Sequence, residues 1–282
     1  MLAKEVYARL DGDFIKPEIS DDWYRYMSEL DPFICDNFKK RDMGLVCDFT
    51  ETINRVYTAV FPSENVLRKV LENADNAMLF LHHASIWDLR KSPVGFYLMD
   101  ASLLEMLKKK HISLYCLHYP LDNYSAYSTS KTLADALDID IIRPFANYSG
   151  AVCGVFGKTK CTTVHELQRK YSEAVGHETK LYQYGDVAIP DNIVAVCAGG
   201  GNQDFVVSEL VQNDIKALIT GITLKNEHSA ETHELAKSNR INIFGGTHYS
   251  SEKFACIAMC NYFSKLGLPA EFIEDEPCYE DM

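Results

Sequence analysis

The chain has 282 residues, of which 47% are hydrophobic and 24% charged, and this composition excludes a disordered or fibrous protein. Forty acidic residues against 28 basic ones give a net charge of −12, which argues against nucleic acid or an anionic membrane surface as the main partner. Nine cysteines without a C-x-x-C pair predict reduced thiols, and the sequence shows no export signal or membrane span. We therefore expect a cytoplasmic protein.

The first 45 residues form an acidic, tyrosine-rich segment with weak periodicity, for which we expect short helices and loops. A regular pattern begins at Ile53. INRVYTAVF is a β-rich run, SENVLRKVLENA has helical spacing behind an N-cap at Ser63, and AMLFL is typical of a strand buried on both faces. These three segments predict a βαβ unit.

The same unit recurs 140 residues later, as the strand IVAVCAGGG, the helix QDFVVSELVQN and the strand KALIT. A following helix and strand, LLEMLKKK and ISLYCLHYPLD, recur 130 residues later as THELAKSNR and INIFGGTHYSSE. Between the copies, 152–158, 162–176 and 180–185 predict a further βαβ excursion, and a strand begins at Glu271. We predict an α/β fold of two similar halves, 1–135 and 136–282, with 1–45 as a divergent N-terminal segment.

Ligand-type side chains follow the predicted strands. His82 and His83 come directly after AMLFL, and both copies of the later strand are followed by His-x-x-x-carboxylate, as His118 with Asp122 and as His248 with Glu252. Sites in open α/β sheets lie at the carboxyl ends of strands, so we expect one site in the cleft between the halves. Neighbouring side chains of an extended segment point to opposite sides, so His82 and His83 could each face a different ion.

Four imidazoles and two carboxylates suit Zn, Fe, Mn or Co better than calcium. Two such ions about 3.5–4 Å apart activate water and polarise a carbonyl, imine or phosphoryl group. The glycine run AGGGNQD (198–204) could bind a phosphate at a helix N-terminus, but a tight turn with Asn202 or Asp204 as N-cap is the simpler interpretation. Cys256 and Cys260 are interpreted as buried small residues rather than as zinc ligands.

Four motifs together resemble the NGG-interacting-factor-three-like (Nif-three-like) family, whose members often carry the label GTP cyclohydrolase 1 type 2. They are the HH of LFLHHASIW, the H-x-x-L-D of LHYPLD, the TG of ALITG (Thr220-Gly221) and GTHYSSE, and the resemblance runs from about Gly44 to the C-terminus. It implies two similar αβα halves, a dinuclear metal site and a homohexamer. The metal ligands that it implies are His82, His83, Asp122, His248 and Glu252.

The resemblance places His118 beside the metals, as a proton-transfer residue or a further ligand, and offers His228 or His233 for a histidine found after the TG motif in the family. We predict a metal-dependent hydrolase that acts on a small nucleotide-like, cyclic amide or phosphoester substrate through a metal-bound water. The alternative is a metal-binding scaffold, regulator or metal-delivery protein without turnover. The sequence shows no evident general acid or substrate clamp beyond the ligands, which favours this alternative.

Overall fold

A computed structural model describes all 282 residues. The chain divides into two compact units, the first made of Met1–Leu121, Ser149–Ala151 and Cys256–Glu276, and the second of Asp122–Tyr148, Val152–Ala255 and Pro277–Met282. Residues 256–276 thus belong to the first unit, although the sequence analysis assigned them to the second half, because their strand pairs within the first sheet. The predicted boundary near residue 135 divides two sequence repeats rather than the two compact units, and it stays a prediction.

The first unit contains five α-helices, of which α5 is a single turn, and seven strands. It also has 3₁₀ turns at Tyr24–Tyr26 and Ser28–Phe33. In chain order they are α1 (Ala3–Phe14), α2 (Asp36–Arg41), β1 (Gly44–Cys47), β2 (Arg55–Ala59), α3 (Glu64–Asn73), β3 (Ala77–Leu81), β4 (Ile86–Trp87), β5 (Phe96–Tyr97), α4 (Ala101–Lys109), β6 (Ile112–Cys116) and α5 (Tyr119–Asp122), with the later β13 (Ala270–Phe272) completing the set.

The sheet of the first unit has the order β1-β6-β3-β2-β13. Strands β6, β3, β2 and β13 are parallel, and β1 pairs antiparallel with β6 at one edge. Every residue of β3 is buried, as the apolar run AMLFL predicts for a central parallel strand. The predicted Ser63 N-cap is present, since its side chain accepts a hydrogen bond from the backbone N–H of Val66.

The second unit contains six strands and four longer helices, with 3₁₀ turns at Pro190–Asn192 and Tyr279–Asp281. In chain order they are α6 (Thr129–Ala136), β7 (Asp140–Tyr148), β8 (Ala151–Lys158), α7 (Val164–Val175), β9 (Lys180–Tyr182), β10 (Ile193–Cys197), α8 (Asp204–Gln212), β11 (Ala217–Thr220), α9 (Ala230–Ser238) and β12 (Asn242–Gly245), after which α10 (His248–Lys265) begins.

The sheet of the second unit has the order β7-β8-β10-β11-β12-β9, and its three central strands β10, β11 and β12 are parallel. Strands β8 and β9 pair antiparallel with β10 and β12. The segment β8-α7-β9 was predicted to be a βαβ excursion, but its two strands lie on opposite sides of the parallel core. Gly176 ends α7 in the left-handed conformation, with φ of 85°, which glycine adopts without strain.

The N-terminal segment contains a longer helix than expected. The twelve residues of α1 bury Val6, Leu10 and Phe14, which recur every fourth residue on one face. The hydroxyl of Tyr115 on β6 donates to the carboxylate of Asp11 at 2.5 Å, and this contact anchors the helix to the first sheet. The helix is therefore an integral part of the first unit.

None of the helices is both long enough and apolar enough to cross a lipid bilayer.

Candidate metal centre

The first group of ligand-type side chains lies where the parallel strands of the first sheet end. Ala59, Leu81 and Cys116, the last residues of β2, β3 and β6, are paired with one another in register. The pairing continues past them, since the backbone N–H of His82 donates to Ala59 at 3.2 Å and that of Leu117 donates to Leu81 at 3.0 Å. His82 and His118 are consequently brought to the same edge of the sheet.

Three histidines form an imidazole group at this edge, in which His82 and His83 are buried and His118 is half-buried. The nitrogen atoms of His82, His83 and His118 that could bind a metal lie within 4.8 Å of one another. Nδ1 of His82 lies 2.9 Å from the carbonyl oxygen of Leu117, and this hydrogen bond makes Nε2 the nitrogen that can coordinate a metal. The ring of Phe61 stacks on that of His83, with 4.7 Å between the centroids, and fixes its orientation.

His118 is held by a carboxylate that the sequence analysis did not consider. Its Nδ1 lies 3.0 Å from Oδ2 of Asp21, whose side chain is only 2% exposed. A carboxylate that accepts from one imidazole nitrogen orients the ring and makes the other nitrogen more basic. His118 is thus held by a residue of the N-terminal segment, and Trp23 of the same segment packs against its ring at 5.2 Å.

The second group lies at the start of α10 in the second unit. His248 is the first residue of this helix, and its Nε2 lies 3.3 Å from Oε1 of Glu252, one turn later. Both residues are buried. Because the helix begins at His248, the spacing of four residues places the two side chains on one face of α10.

A glycine turn supports the carboxylate of Glu252. A Cβ atom on Gly199 would lie 2.0 Å from Oε1 of Glu252, and the residue has φ of +66°. The carbonyl oxygen of Gly199 accepts from the backbone N–H groups of Gly221 and Ile222 at 3.1 and 2.9 Å. The Thr220-Gly221 motif therefore anchors the turn against which Glu252 packs.

The glycine run that contains Gly199 precedes α8, but the N-cap of this helix differs from the prediction. Gln203 is the N-cap residue of α8, without a side-chain hydrogen bond, so the expectation of Asn202 or Asp204 as N-cap is wrong. Asp204 instead accepts a hydrogen bond from the hydroxyl of Thr232 on α9.

The carboxylate of Asp281 fixes the position of His248. Oδ2 of Asp281, a fully buried residue, accepts from the backbone N–H of His248 at 2.7 Å. The backbone oxygen of Asp281 accepts from Thr223 and Leu224 at 2.7 and 2.8 Å. The C-terminal segment therefore joins the start of α10 to the loop after β11.

Asp122 is half-buried at the end of α5, where its Oδ1 accepts from the hydroxyl of Thr129 at 2.5 Å.

The pKa of the Cys197 thiol shows the electrostatic effect of the two predicted carboxylate ligands. Burial raises the pKa of this thiol to about 12, and the negative charges of Asp122 and Glu252 add to the effect. Cys197 thus stays a neutral thiol, in an environment where both predicted carboxylate ligands contribute negative potential.

Neither histidine suggested for the segment after the TG motif belongs to a group of ligand-type side chains. His228 is exposed. His233 is buried, and its two ring nitrogens lie 3.0 Å from the hydroxyl of Tyr184 and 3.1 Å from the carbonyl oxygen of Thr223. Burial lowers the pKa of His233, so its role is that of a neutral, hydrogen-bonded core histidine.

Cys256 and Cys260 are free thiols that contact backbone oxygens and Thr58.

The donors of both groups fit a transition metal. Buried imidazole nitrogens with carboxylate oxygens are the ligand set of Zn(II), Fe(II), Mn(II) or Co(II), and the hydrogen bonds to Leu117 and Asp21 are of the kind that orient metal-binding histidines. The buried histidine and glutamate groups could therefore hold metal ions.

Together, the α/β architecture and the His/carboxylate groups, which could hold metal ions, define a class of α/β proteins with a candidate metal centre at the strand ends. The sequence profile of the family Duf34/NIF3 (NGG1p interacting factor 3) matches residues 21–277, and the chain belongs to this family. The resemblance stated from the four motifs is confirmed, and the match begins about 20 residues earlier than those motifs indicated.

Several relatives are named GTP cyclohydrolase 1 type 2 homolog. The chain is 28% identical over 235 residues to one from Archaeoglobus fulgidus, covering 82% of this chain and 88% of the relative. It is also 28% identical over 211 residues to one from Borreliella burgdorferi, covering 75% and 78%.

Solved structures show the same fold. A structure of protein ybgI, described as of unknown function, covers 99% of this chain and 100% of its own, with a TM-score of 0.76 and 20% identity. Reduced HcgD from Methanocaldococcus jannaschii covers 98% of each chain, with a TM-score of 0.67 and 20% identity.

Sequence reasoning missed Asp21 and Asp281. Both lie in terminal segments without periodicity, and their partners His118 and His248 are 97 and 33 residues away. The only available indication was composition, since acidic residues are concentrated in both terminal segments.

Substitution of Gly199 by alanine should destabilise the second unit by more than about 1 kcal/mol, because an L-residue at positive φ is strained and the new Cβ would overlap Glu252. Gly200→Ala is the matched control. Its Cβ would meet only Ile222 at 3.9 Å, and we expect a change within about 0.5 kcal/mol. Denaturant unfolding measures both, and equal effects would contradict the proposed packing.

Substitution of Asp281 by alanine should lower the free energy of unfolding by about 1–2 kcal/mol, because the N–H of His248 loses its buried acceptor. Asp281→Asn keeps an oxygen acceptor and should cost less than half as much. Unfolding curves for the two variants, together with the amide exchange rate of His248, check the effect. An unprotected His248 amide in the unsubstituted chain would contradict the assignment.

Proposed function

We propose that this chain is a metal-dependent hydrolase that holds two divalent transition-metal ions. The ligands are His82, His83, Asp122, His248 and Glu252. The observation that carries the proposal is the imidazole group at one sheet edge, whose candidate metal-binding nitrogens lie within 4.8 Å of one another. Two of the three imidazoles are buried, which is costly unless they serve a ligand or a catalytic step.

The topology of the two sheets supports the proposed duplication. In the first sheet β2, β3 and β6 are parallel neighbours connected through α3 and α4, and in the second β10, β11 and β12 are parallel neighbours connected through α8 and α9. In each sheet a histidine and a carboxylate follow the third of these strands. Two copies of one unit thus supply equivalent ligands.

Two bound divalent ions would supply Lewis acidity, which activates water and polarises a carbonyl, imine or phosphoryl group. The protein's own residues orient the donors. Leu117 fixes the tautomer of His82, the Gly199 turn supports the carboxylate of Glu252, and Asp21 holds His118. His118, whose Nδ1 lies against Asp21, would accept and return a proton at Nε2, which is the role proposed for it.

The substrate proposed is a small nucleotide-like molecule, a cyclic amide or a phosphoester. The names of the relatives, GTP cyclohydrolase 1 type 2 homolog, support the hydrolysis of a heterocyclic ring. The competing function, a metal-binding scaffold or delivery protein without turnover, shares the same ligand set, so metal content alone does not separate the two.

Metal analysis of the purified chain should find about two equivalents of transition metal, and the double variant Asp122→Asn, Glu252→Gln should retain well under one. The matched control replaces two exposed carboxylates, Asp135→Asn and Glu234→Gln, and should keep the full content. Metal-dependent turnover of nucleotides, phosphoesters or cyclic amides, lost in the ligand variant, supports the hydrolase. Full metal content without turnover in this screen supports the scaffold, and a metal-free chain contradicts both.

We also propose that the chain assembles as a homohexamer and acts on a small molecule in the cytoplasm, away from membranes. The family resemblance supports the hexamer. Light scattering should give the mass of six 31.9 kDa chains. A monomeric mass at micromolar concentration would contradict it.

A further inference from the structure

A cavity of about 580 Å³ lies beside His118 in the first unit. Five aromatic side chains, Trp23, Tyr26, Phe96, Tyr97 and Tyr119, contribute to its lining. Its volume falls within the range of small-molecule sites, and aromatic walls with a few polar groups are the usual lining of such sites. No part of the proposed metal chemistry uses these aromatic residues.

The inner wall of the cavity is rigid. Trp23 is only 5% exposed, and its ring meets Phe96 edge-on at 5.0 Å and His118 edge-on at 5.2 Å. Tyr119 also packs against His118, with 4.1 Å between the ring centroids. A wall held by such contacts presents flat faces without first having to be ordered, which suits a flat ligand.

The charges around the cavity select against anions. Its lining includes two carboxylates, Asp21 and Asp22, and neither lysine nor arginine. Asp22 forms an exposed ion pair with Arg25, whereas Asp21 is buried against His118. A phosphate entering the cavity would meet negative charge without a cation to receive it. An uncharged ring with N–H groups would find acceptors instead.

His118 connects the cavity to the imidazole group. It lines the cavity, and its ring centroid lies 4.8 Å from that of His83 and 5.4 Å from that of His82. A flat molecule in the cavity would therefore have one edge next to the residues proposed to bind metal. The geometry points to a binding site for an uncharged, planar heteroaromatic ring, with any phosphate of the same molecule outside the cavity.

This inference deepens the proposed function, on which its catalytic meaning rests, but ring binding itself requires no metal. The test uses the metal-depleted full chain. The sequence has two tryptophans, and Trp87→Phe leaves Trp23 as the only one. Inosine supplies the uncharged heteroaromatic ring, and ribose 5-phosphate is an anion without a heteroaromatic ring. Inosine 5′-monophosphate combines the two.

Inosine should quench the emission of Trp23 saturably, ribose 5-phosphate should not, and the monophosphate should bind no more tightly than inosine. Tyr26→Ala should weaken inosine binding at least about fivefold, as the loss of a stacking partner does. Tyr26 is 57% exposed, so its replacement should not disturb folding, and Tyr279→Ala, at 55% exposed and outside the cavity, is the matched control. Calorimetry on the unsubstituted chain replaces fluorescence if Trp87→Phe does not fold.

Absence of inosine binding, or equal binding of ribose 5-phosphate, would overturn the inference, as would equal effects of the two tyrosine variants. Metal content and turnover are measured separately on the loaded chain. Inosine binding in a chain without metal-dependent turnover would uphold the ring site while the hydrolase proposal fails. Turnover of other substrates without inosine binding would support the hydrolase proposal and contradict the ring site.

Discussion

Parallel strands that are paired in register end at one edge of their sheet, and this constraint places the functional residues of both units. In the first unit the aligned ends of β2, β3 and β6 carry His82 and His118. In the second, the aligned ends Cys197, Thr220 and Gly245 are followed by the glycine turn, the TG motif and α10. A one-residue slip in either register would turn these side chains to the opposite face. Backbone hydrogen bonds of the sheets, which continue to the N–H groups of His82 and Leu117, therefore set the positions of the candidate ligands.

Buried polar groups near these edges are compensated one by one. Leu117 and Asp21 accept from imidazoles, Thr129 donates to Asp122, and Asp281 accepts from the first N–H of α10. Burial raises the pKa of the Cys197 thiol, and the negative charges of Asp122 and Glu252 raise it further, so the second unit has negative potential at this place. Divalent cations would offset that charge. The electrostatics thus agree with the donor chemistry in favouring a cation.

Much of this arrangement could be predicted from the sequence. Local periodicity identified β2, α3 and β3 and their counterparts β10, α8 and β11, because a strand buried on both faces and an amphipathic helix have distinct patterns. The start of α10 at His248 is a finding of the structure. What local periodicity could not supply depends on long-range contacts. The contacts of Asp21, Trp23 and Asp281 are with residues far away in the chain. The antiparallel positions of β8 and β9 follow from their pairing with β10 and β12 rather than from their own sequences.

Strand β13 has a consequence for synthesis on the ribosome. It pairs with β2, although about 210 residues separate them, and it occupies the edge of the first sheet. Until Ala270–Phe272 has emerged, the nascent chain exposes β2 as an unpaired edge that can recruit strands from other chains. The first unit can thus close only after residue 272 has left the ribosome. The chain is therefore expected to rely on chaperones during translation more than a protein whose first domain is contiguous.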